Sequence, residues 1–385
     1  MPRRTGYRLA GYGEMMTDGP RMAAYREALR QAVGPDSVVL DLGAGPGIFS
    51  LLACRLGARH VHAVEPDESI QMARTLAAAN GLEGRITFHR KLSTEVELPE
   101  PAQVVVSDLR SVLPLFEHHI PAVVDARERL LAPGGTLIPR ADEIHGALAT
   151  SPELYRRYAE PWITNDFGLD LSPGHREVVN QWRRVHAGAG ALLTEPRLWA
   201  RLTYGRVREP DVANTLSWTL EAPGTGHGLL VWFDADLGER AGFSNAPGKE
   251  DLIYGQAFFP WQEPLALEAG DQVAVELRAD LVGDDYVWRW HTRVEDAGGG
   301  LRAAFRQSTF HGDALASGRL RKRASEFVPV LKEESQVDRL ILSLMDGERT
   351  LEAIAREVAR HYPRRFAGWE EAMDPVGRMA ETHAR

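Results

Sequence analysis

Val38-Val39-Leu40-Asp41-Leu42-Gly43-Ala44-Gly45-Pro46-Gly47 decides the fold. Apolar residues on both sides of one aspartate make a short buried strand, and three glycines at alternate positions carry it into a helix. Glycine lets such a turn tighten and lets a ligand approach the backbone, while the first turn of the helix presents unpaired N–H groups. The spacing is G-x-G-x-G, and Ile48 stands where a G-x-G-x-x-G fingerprint has its last glycine, which argues against a dinucleotide. Glu65 ends the next strand, where a carboxylate can accept from ribose hydroxyls. Asp41, beside the turn, can balance a cationic ligand such as a sulfonium amino acid. A plain strand-to-helix turn would explain the glycines alone, but not their combination with both acids.

Outward from this stretch, residues 36–139 alternate short β-branched runs with helical-period segments, as a parallel sheet covered by helices does. The expected strands are 38–42, 60–65, 85–89, 103–107 and 136–139, the helices 46–56, 68–80 and 116–131, with a turn at Pro133-Gly134-Gly135. From 140 to 310 the pattern changes to alternating segments at 227–234, 253–260, 271–278 and 286–294, which read as antiparallel strands of a barrel or sandwich. Residues 152–184 look helical and irregular, like an arm inserted into the β region. A basic stretch at 318–323 reads as a linker. Beyond it, Val337, Leu340, Ile341 and Leu344, then Leu351, Ile354, Ala355 and Val358, keep helical spacing around an Asp346-Gly347 turn.

The 385 residues are 44% apolar and carry a net charge of −9, which fits folded domains and disfavours a polyanion-binding surface. A lone cysteine, Cys54, makes no internal disulfide, no Cys/His cluster has zinc spacing, and a cytoplasmic setting is expected. Arg3 and Arg4 precede no continuous apolar core, and no run approaches a membrane span, so neither a signal peptide nor a membrane partner is expected.

With the glycine turn, Glu65 and the upstream stretch Glu14-Met15-Met16-Thr17-Asp18-Gly19-Pro20-Arg21-Met22-Ala23-Ala24-Tyr25, the chain resembles class I S-adenosylmethionine-dependent methyltransferases, and within them the protein arginine methyltransferase family. The resemblance implies S-adenosyl-L-methionine as cofactor, held by Asp41, Gly43, Gly45 and Glu65, with Arg21 pairing the cofactor carboxylate through its planar donor fork. It also implies that Tyr12 and Met15 line the cofactor pocket and that Leu92 and Ser93 flank the adenine, although Ser93 falls where the family usually has a glutamate.

Ser107-Asp108-Leu109-Arg110-Ser111-Val112-Leu113-Pro114-Leu115-Phe116-Glu117 resembles the family's double-glutamate loop, with Asp108 in the first acidic place and Glu117 in the second. Two acids suit a guanidinium acceptor: they can hold its fork, draw charge from the reacting nitrogen and align its lone pair, with no metal required. Aspartate shortens the reach by about 1.5 Å, and an error of about 1 Å can cost on the order of a hundredfold in rate. The family's supporting Thr-His-Trp loop reads Leu252-Ile253-Tyr254 here, so Ile253 and Tyr254 are expected to line the substrate pocket.

The resemblance runs over residues 11–312 and implies a Rossmann-like methyltransferase domain (1–140), an antiparallel β-barrel with a dimerisation arm (141–312), and a linker with a small helical domain (313–385). Asn165-Asp166-Phe167-Gly168-Leu169-Asp170-Leu171-Ser172 is similar to the arm that builds head-to-tail homodimers. More weakly, the segment 328–384, through Asp346-Gly347-Glu348-Arg349-Thr350-Leu351-Glu352-Ala353-Ile354, resembles domains that recognise leader peptides by strand addition. A DNA-reading helix is disfavoured because Glu352 and Glu357 interrupt Arg356 and Arg360. The expected activity is methyl transfer to an arginine-like guanidinium or amine of a peptide or protein. A small-molecule or different side-chain acceptor, and a non-catalytic peptide-binding scaffold, are the alternatives.

Overall fold

The structure, a computed structural model, describes residues 9–312, 321–322 and 324–384. Arg3, Arg4 and most of the basic stretch at 318–323 lie outside the described residues. The chain divides into two compact units, Met1–Ala314 and Leu315–Arg385.

The first unit opens with α1 (Leu9–Thr17) and α2 (Gly19–Ala32), separated by Asp18, whose side chain caps α2 by accepting from the Arg21 N–H at 3.2 Å. Next come β1 (Val38–Leu42), α3 (Ile48–Arg55), β2 (His60–Val64), α4 (Ser69–Ala79), β3 (Ile86–His89), β4 (Ala102–Ser107), α5 (His119–Asp125) and β5 (Leu131–Ile138). The five strands form one parallel sheet in the order β3-β2-β1-β4-β5. β1 is buried along its whole length, as a central strand covered on both faces must be. The order reverses between β1 and β4, which opens a crevice beyond their carboxyl ends, the usual place for a ligand in such sheets.

Two elements of this unit differ from those expected from the sequence. Pro133-Gly134-Gly135 is not a turn outside the sheet but lies within β5, as a bulge in which Leu131 and Thr136 face Ala102 and Val104. The helix expected over 116–131 starts later, at His119, and ends in a wider π-type turn at Ala126–Leu130.

β6 (Ala141–Ala149) follows almost directly and begins the antiparallel region. The arm carries α6 (Pro152–Tyr158) and α7 (Ser172–Val178); Phe167 and Leu169 between them are largely exposed. The remaining strands are β7 (Arg183–Val185), β8 (Arg197–Thr203), β9 (Val212–Thr219), β10 (Gly224–Gly238), β11 (Ala241–Ser244), β12 (Gln256–Leu267), β13 (Gln272–Val282), β14 (Asp285–Glu295) and β15 (Leu301–Ser308). They make two sheets, β7-β12-β10-β6-β8 with β11 on β10, and β15-β14-β13-β9. Aromatic side chains knit the sheets together: Phe259 lies 5.2 Å from both Trp288 and Trp290, and Trp199 lies 5.8 Å from Trp288. One hydrophobic core runs through parallel and antiparallel sheets alike.

In the second unit, helices Glu333–Leu344, Leu351–His361 and Trp369–His383 surround a separate small core. Val337 and Ile341, spaced by one turn, meet Ile354, Ala355 and Val358 there, and Ala372 and Val376 complete it from the third helix. Thr350 caps the middle helix by accepting from the Ala353 N–H at 3.2 Å.

Candidate active site

The glycine turn takes the form its sequence requires. Gly43, Gly45 and Gly47 have φ of +74°, +51° and +78°, a region costly for other residues. Gly47 is the residue before the first turn of α3, which is why the helix starts at Ile48 and not at Pro46. A Cβ on Gly43 would stand 2.2 Å from the Leu109 side chain, and one on Gly45 would stand 2.7 Å from the Tyr12 ring. The turn is therefore walled by Leu109, from the loop after β4, and by Tyr12, from α1.

Asp41 and Glu65 flank this turn. Asp41 is buried, and its Oδ2 accepts from the Ser50 N–H at 2.8 Å and the Ser50 hydroxyl at 2.6 Å. Its Oδ1 is equally buried and has no hydrogen-bond partner among the described residues. Burial pushes the Asp41 carboxyl up to about 7, against the pull of the Ser50 bonds. Glu65 accepts from the Gly45 N–H at 3.0 Å through Oε2 and from the Asp67 N–H at 2.9 Å through Oε1, and burial raises its pKa as well. A buried carboxylate oxygen without a donor is costly, so this corner suits a ligand that brings positive charge or hydroxyl donors.

Arg21 is buried, and its guanidinium meets Asp108: Nε donates to Oδ2 at 2.7 Å, and Nη2 lies 2.5 Å from the same oxygen. Nη1 donates to the Met15 carbonyl at 3.1 Å, which ties the end of α1 to α2. The Tyr254 hydroxyl, which accepts from Arg21 Nε at 3.0 Å, lies 2.7 and 2.8 Å from the two Asp108 oxygens. Burial opposes charge on Arg21 and Asp108 alike, but each supplies the other's counter-charge; the arginine is held above, and the aspartate below, its usual range.

Several residues of this cluster carried no signal in the sequence reading. Arg110 holds Asp142 through a two-pronged contact, Nε to Oδ2 at 2.8 Å and Nη2 to Oδ1 at 3.0 Å, with both side chains fully buried. Its Nη1 donates to Asp108 Oδ1 at 3.1 Å and to the Tyr25 hydroxyl at 2.7 Å. Tyr25 donates to the Ser107 carbonyl at 2.8 Å, and Tyr204 donates to Asp142 at 2.5 Å. Two arginines and two aspartates thus balance in one buried network, which joins Arg21, the Asp108–Arg110 pair and Asp142 from three separate segments.

Glu117 occupies a different setting. It is half-buried on a backbone with φ of +41°, and burial, then the nearby Asp285, raise its carboxyl above the usual range. Residues 253–255 leave the strand expected over 253–260 and form the turn before β12, which carries Tyr254 into the cluster and lets the Ile253 N–H donate to Asp18 Oδ2 at 2.9 Å. Asn245 joins this turn to the loop after β4: its side-chain amide donates to the carbonyls of Val112 and Gly255. Leu92 is exposed; Ser93 is buried, and its carbonyl accepts from Arg129 at 2.8 Å.

Arginine N(omega)-methyltransferase of Streptomyces achromogenes subsp. streptozoticus is 30% identical to this chain over 276 residues, 68% of this chain and 74% of that protein. The chain belongs to the protein arginine methyltransferase family. "Probable histone-arginine methyltransferase CARM1" of Oryza sativa subsp. indica is 32% identical over 254 residues; the chain spans about half of that longer relative, 48%. A family model described as "Ribosomal protein L11 methyltransferase (PrmA)" matches residues 25–159. The fold is that of solved protein arginine methyltransferases. The Trypanosoma brucei PRMT1 enzyme-prozyme complex with AdoHcy has a TM-score of 0.70 at 22% identity, covering 78% of this chain and 98% of that one. Arabidopsis thaliana protein arginine methyltransferase 10 has a TM-score of 0.67 at 22% identity, covering 78% and 97%.

Proposed function

We propose that the protein is an S-adenosylmethionine-dependent N-methyltransferase acting on an arginine-like guanidinium or amine nitrogen of a peptide or protein. The observation that carries this reading is the buried, unpartnered Oδ1 of Asp41 beside a left-handed glycine turn at the crevice between β1 and β4. Those features fit the cofactor's chemistry. When bound, S-adenosylmethionine supplies a sulfonium methyl, whose C–S bonding pair returns to sulfur as the acceptor nitrogen takes the carbon. Gly43 and Gly45 would let the backbone approach the cofactor, Glu65 would receive its ribose hydroxyls, and Arg21 would hold its carboxylate. Tyr12 and Met15 would cover it, and Leu92 and Ser93 would flank its adenine. Glu117, with its raised pKa, is suited to orient the acceptor nitrogen and take its proton.

The partner reading follows the same lines. Trp162, Ile163, Phe167 and Leu169 give the arm an exposed apolar face, which supports a homodimer built through it. In the second unit, the segment 327–331, outside helix and strand, exposes Phe327, Val328, Val330 and Leu331, which supports recognition of a peptide, such as a leader peptide, by strand addition. A buried free Cys54 suits a cytoplasmic setting. Among the described residues, no helix is long and apolar enough to cross a membrane.

Calorimetry with S-adenosylhomocysteine and mass spectrometry of peptides incubated with labelled cofactor test the reading. Glu117→Gln is expected to lower transfer by roughly two to four orders of magnitude while leaving S-adenosylhomocysteine binding largely intact. Full turnover by that variant removes Glu117 from the mechanism. Labelled small molecules in place of labelled peptide would favour a small-molecule acceptor, and no cofactor binding would favour a silent peptide-binding scaffold.

A further inference from the structure

Asp108 is filled by donors of its own chain. A carboxylate has about four acceptor positions. Arg21 Nε and Nη2 lie 2.7 and 2.5 Å from Oδ2, Arg110 Nη1 lies 3.1 Å from Oδ1, and the Tyr254 hydroxyl reaches both oxygens. The side chain keeps 6% of its exposure. None of these donors is loosely held. Arg110 is pinned by its two-pronged contact with Asp142, and the Tyr254 ring stacks on Phe243 at 5.6 Å and meets Phe233 edge-on at 5.2 Å. A third guanidinium arriving at Asp108 would find its acceptor positions taken and two buried cations of like charge beside it.

We propose that Asp108 is a positioning residue that does not bind the acceptor, and that Arg110, Asp142 and Tyr254 set specificity by closing it, leaving Glu117 as the only one of the two acids to hold the acceptor nitrogen. The inference rests on the methyltransferase reading and narrows it. Two acids can grip both edges of a guanidinium fork, whereas one acid grips a single edge, so part of the preference for a guanidinium over an ammonium head is lost. The site therefore distinguishes guanidinium from amine acceptors less sharply than two open acids would. The task of Asp108 is to aim Arg21 at the cofactor and to join α2 to the loop after β4 and the turn bearing Tyr254.

The experiment titrates the full chain with S-adenosylhomocysteine, then titrates the saturated protein with methylguanidinium and methylammonium chlorides, following heat. In the natural protein, methylguanidinium is expected to bind no more than about threefold tighter than methylammonium. Asp108→Asn should weaken S-adenosylhomocysteine by about tenfold through the loss of Arg21's anchor, and leave the response to both small cations unchanged. Arg110→Met combined with Asp142→Asn removes the pinned cation while keeping an acceptor for Tyr204, and should raise methylguanidinium affinity by about tenfold. A merely structural role for these residues would produce no such gain. Should that pair fail to fold, Tyr254→Phe, which deletes one hydroxyl, should shift methylguanidinium in the same direction by a smaller factor. The inference is overturned if methylguanidinium saturates the natural protein and Asp108→Asn abolishes that binding with S-adenosylhomocysteine affinity intact, or if opening Asp108 yields no gain. Absence of S-adenosylhomocysteine binding by the natural protein is a separate result, and defeats the methyltransferase reading itself.

Discussion

Asp41 and Asp108 sit on and just after neighbouring strands β1 and β4, where Asp41 is paired in register with Val106. Both are buried, yet the surrounding fold treats them in opposite ways. Asp41 has one serine for company, an oxygen with no donor, and a carboxyl pushed up to about 7 by burial. Asp108 has two arginines and a tyrosine hydroxyl, which outweigh burial and hold it ionised. Depth is shared, so the difference comes from the neighbours. An acid left short of partners is poised for charge that arrives from outside, whereas an acid that is fully paired belongs to the architecture.

The contrast can be broken most severely at its saturated end. Arg110→Met alone leaves Asp142 without its cation, and is expected to destabilise the protein by about 3–5 kcal/mol, read as a lower urea midpoint at unchanged slope. Adding Asp142→Asn should restore most of the loss. A single variant as stable as the natural protein would deny the pair its role. At the unsatisfied end, Gly45→Ala puts a methyl 2.7 Å from the Tyr12 ring on a backbone with φ of +51°. It should cost about 1–2 kcal/mol in stability and weaken S-adenosylhomocysteine binding, both measurable by melting and calorimetry.

The smallest effect is also the most diagnostic. In the free protein, Asp41 prefers its proton, so its contribution to stability is full below the unfolded value near 3.8 and is lost as pH rises through about 7. A sulfonium ligand prefers the ionised acid. Affinity for S-adenosylmethionine should therefore climb with pH up to about 7 and then level, by at most about 1.4 kcal/mol per pH unit, with proton release visible as buffer-dependent heat. The neutral thioether S-adenosylhomocysteine should show a weaker slope, and equal slopes would place the charge sensitivity elsewhere.

What could be read from the sequence divides along the same line. The strands of the parallel sheet and the glycine turn were legible because their signals are local: apolar runs, alternate glycines and an acid at the next strand end. The start of α3 was misplaced by two residues because Gly47 takes a left-handed conformation that periodicity does not reveal. The network around Arg110 was invisible for a different reason. Its partners lie 32 residues away at Asp142 and 85 residues away at Tyr25, and nothing in any one segment marks them as neighbours. Likewise, Tyr254 looked like a strand residue, and only the left-handed Gly255 after it, with φ of +61°, turns the chain so that its hydroxyl reaches Asp108.

Asn245 carries a consequence for how the site is held together. Its side chain accepts from the Phe233 N–H at 2.7 Å while its amide donates to Val112 and Gly255, so β10, the loop bearing Glu117 and the turn bearing Tyr254 meet at one residue. Each segment is held by its own bond to this one side chain, which is itself fixed to β10. The two loops that carry the site's side chains are thus tied to the barrel and to each other through one amide, and Asn245→Ala would release both from β10 at once.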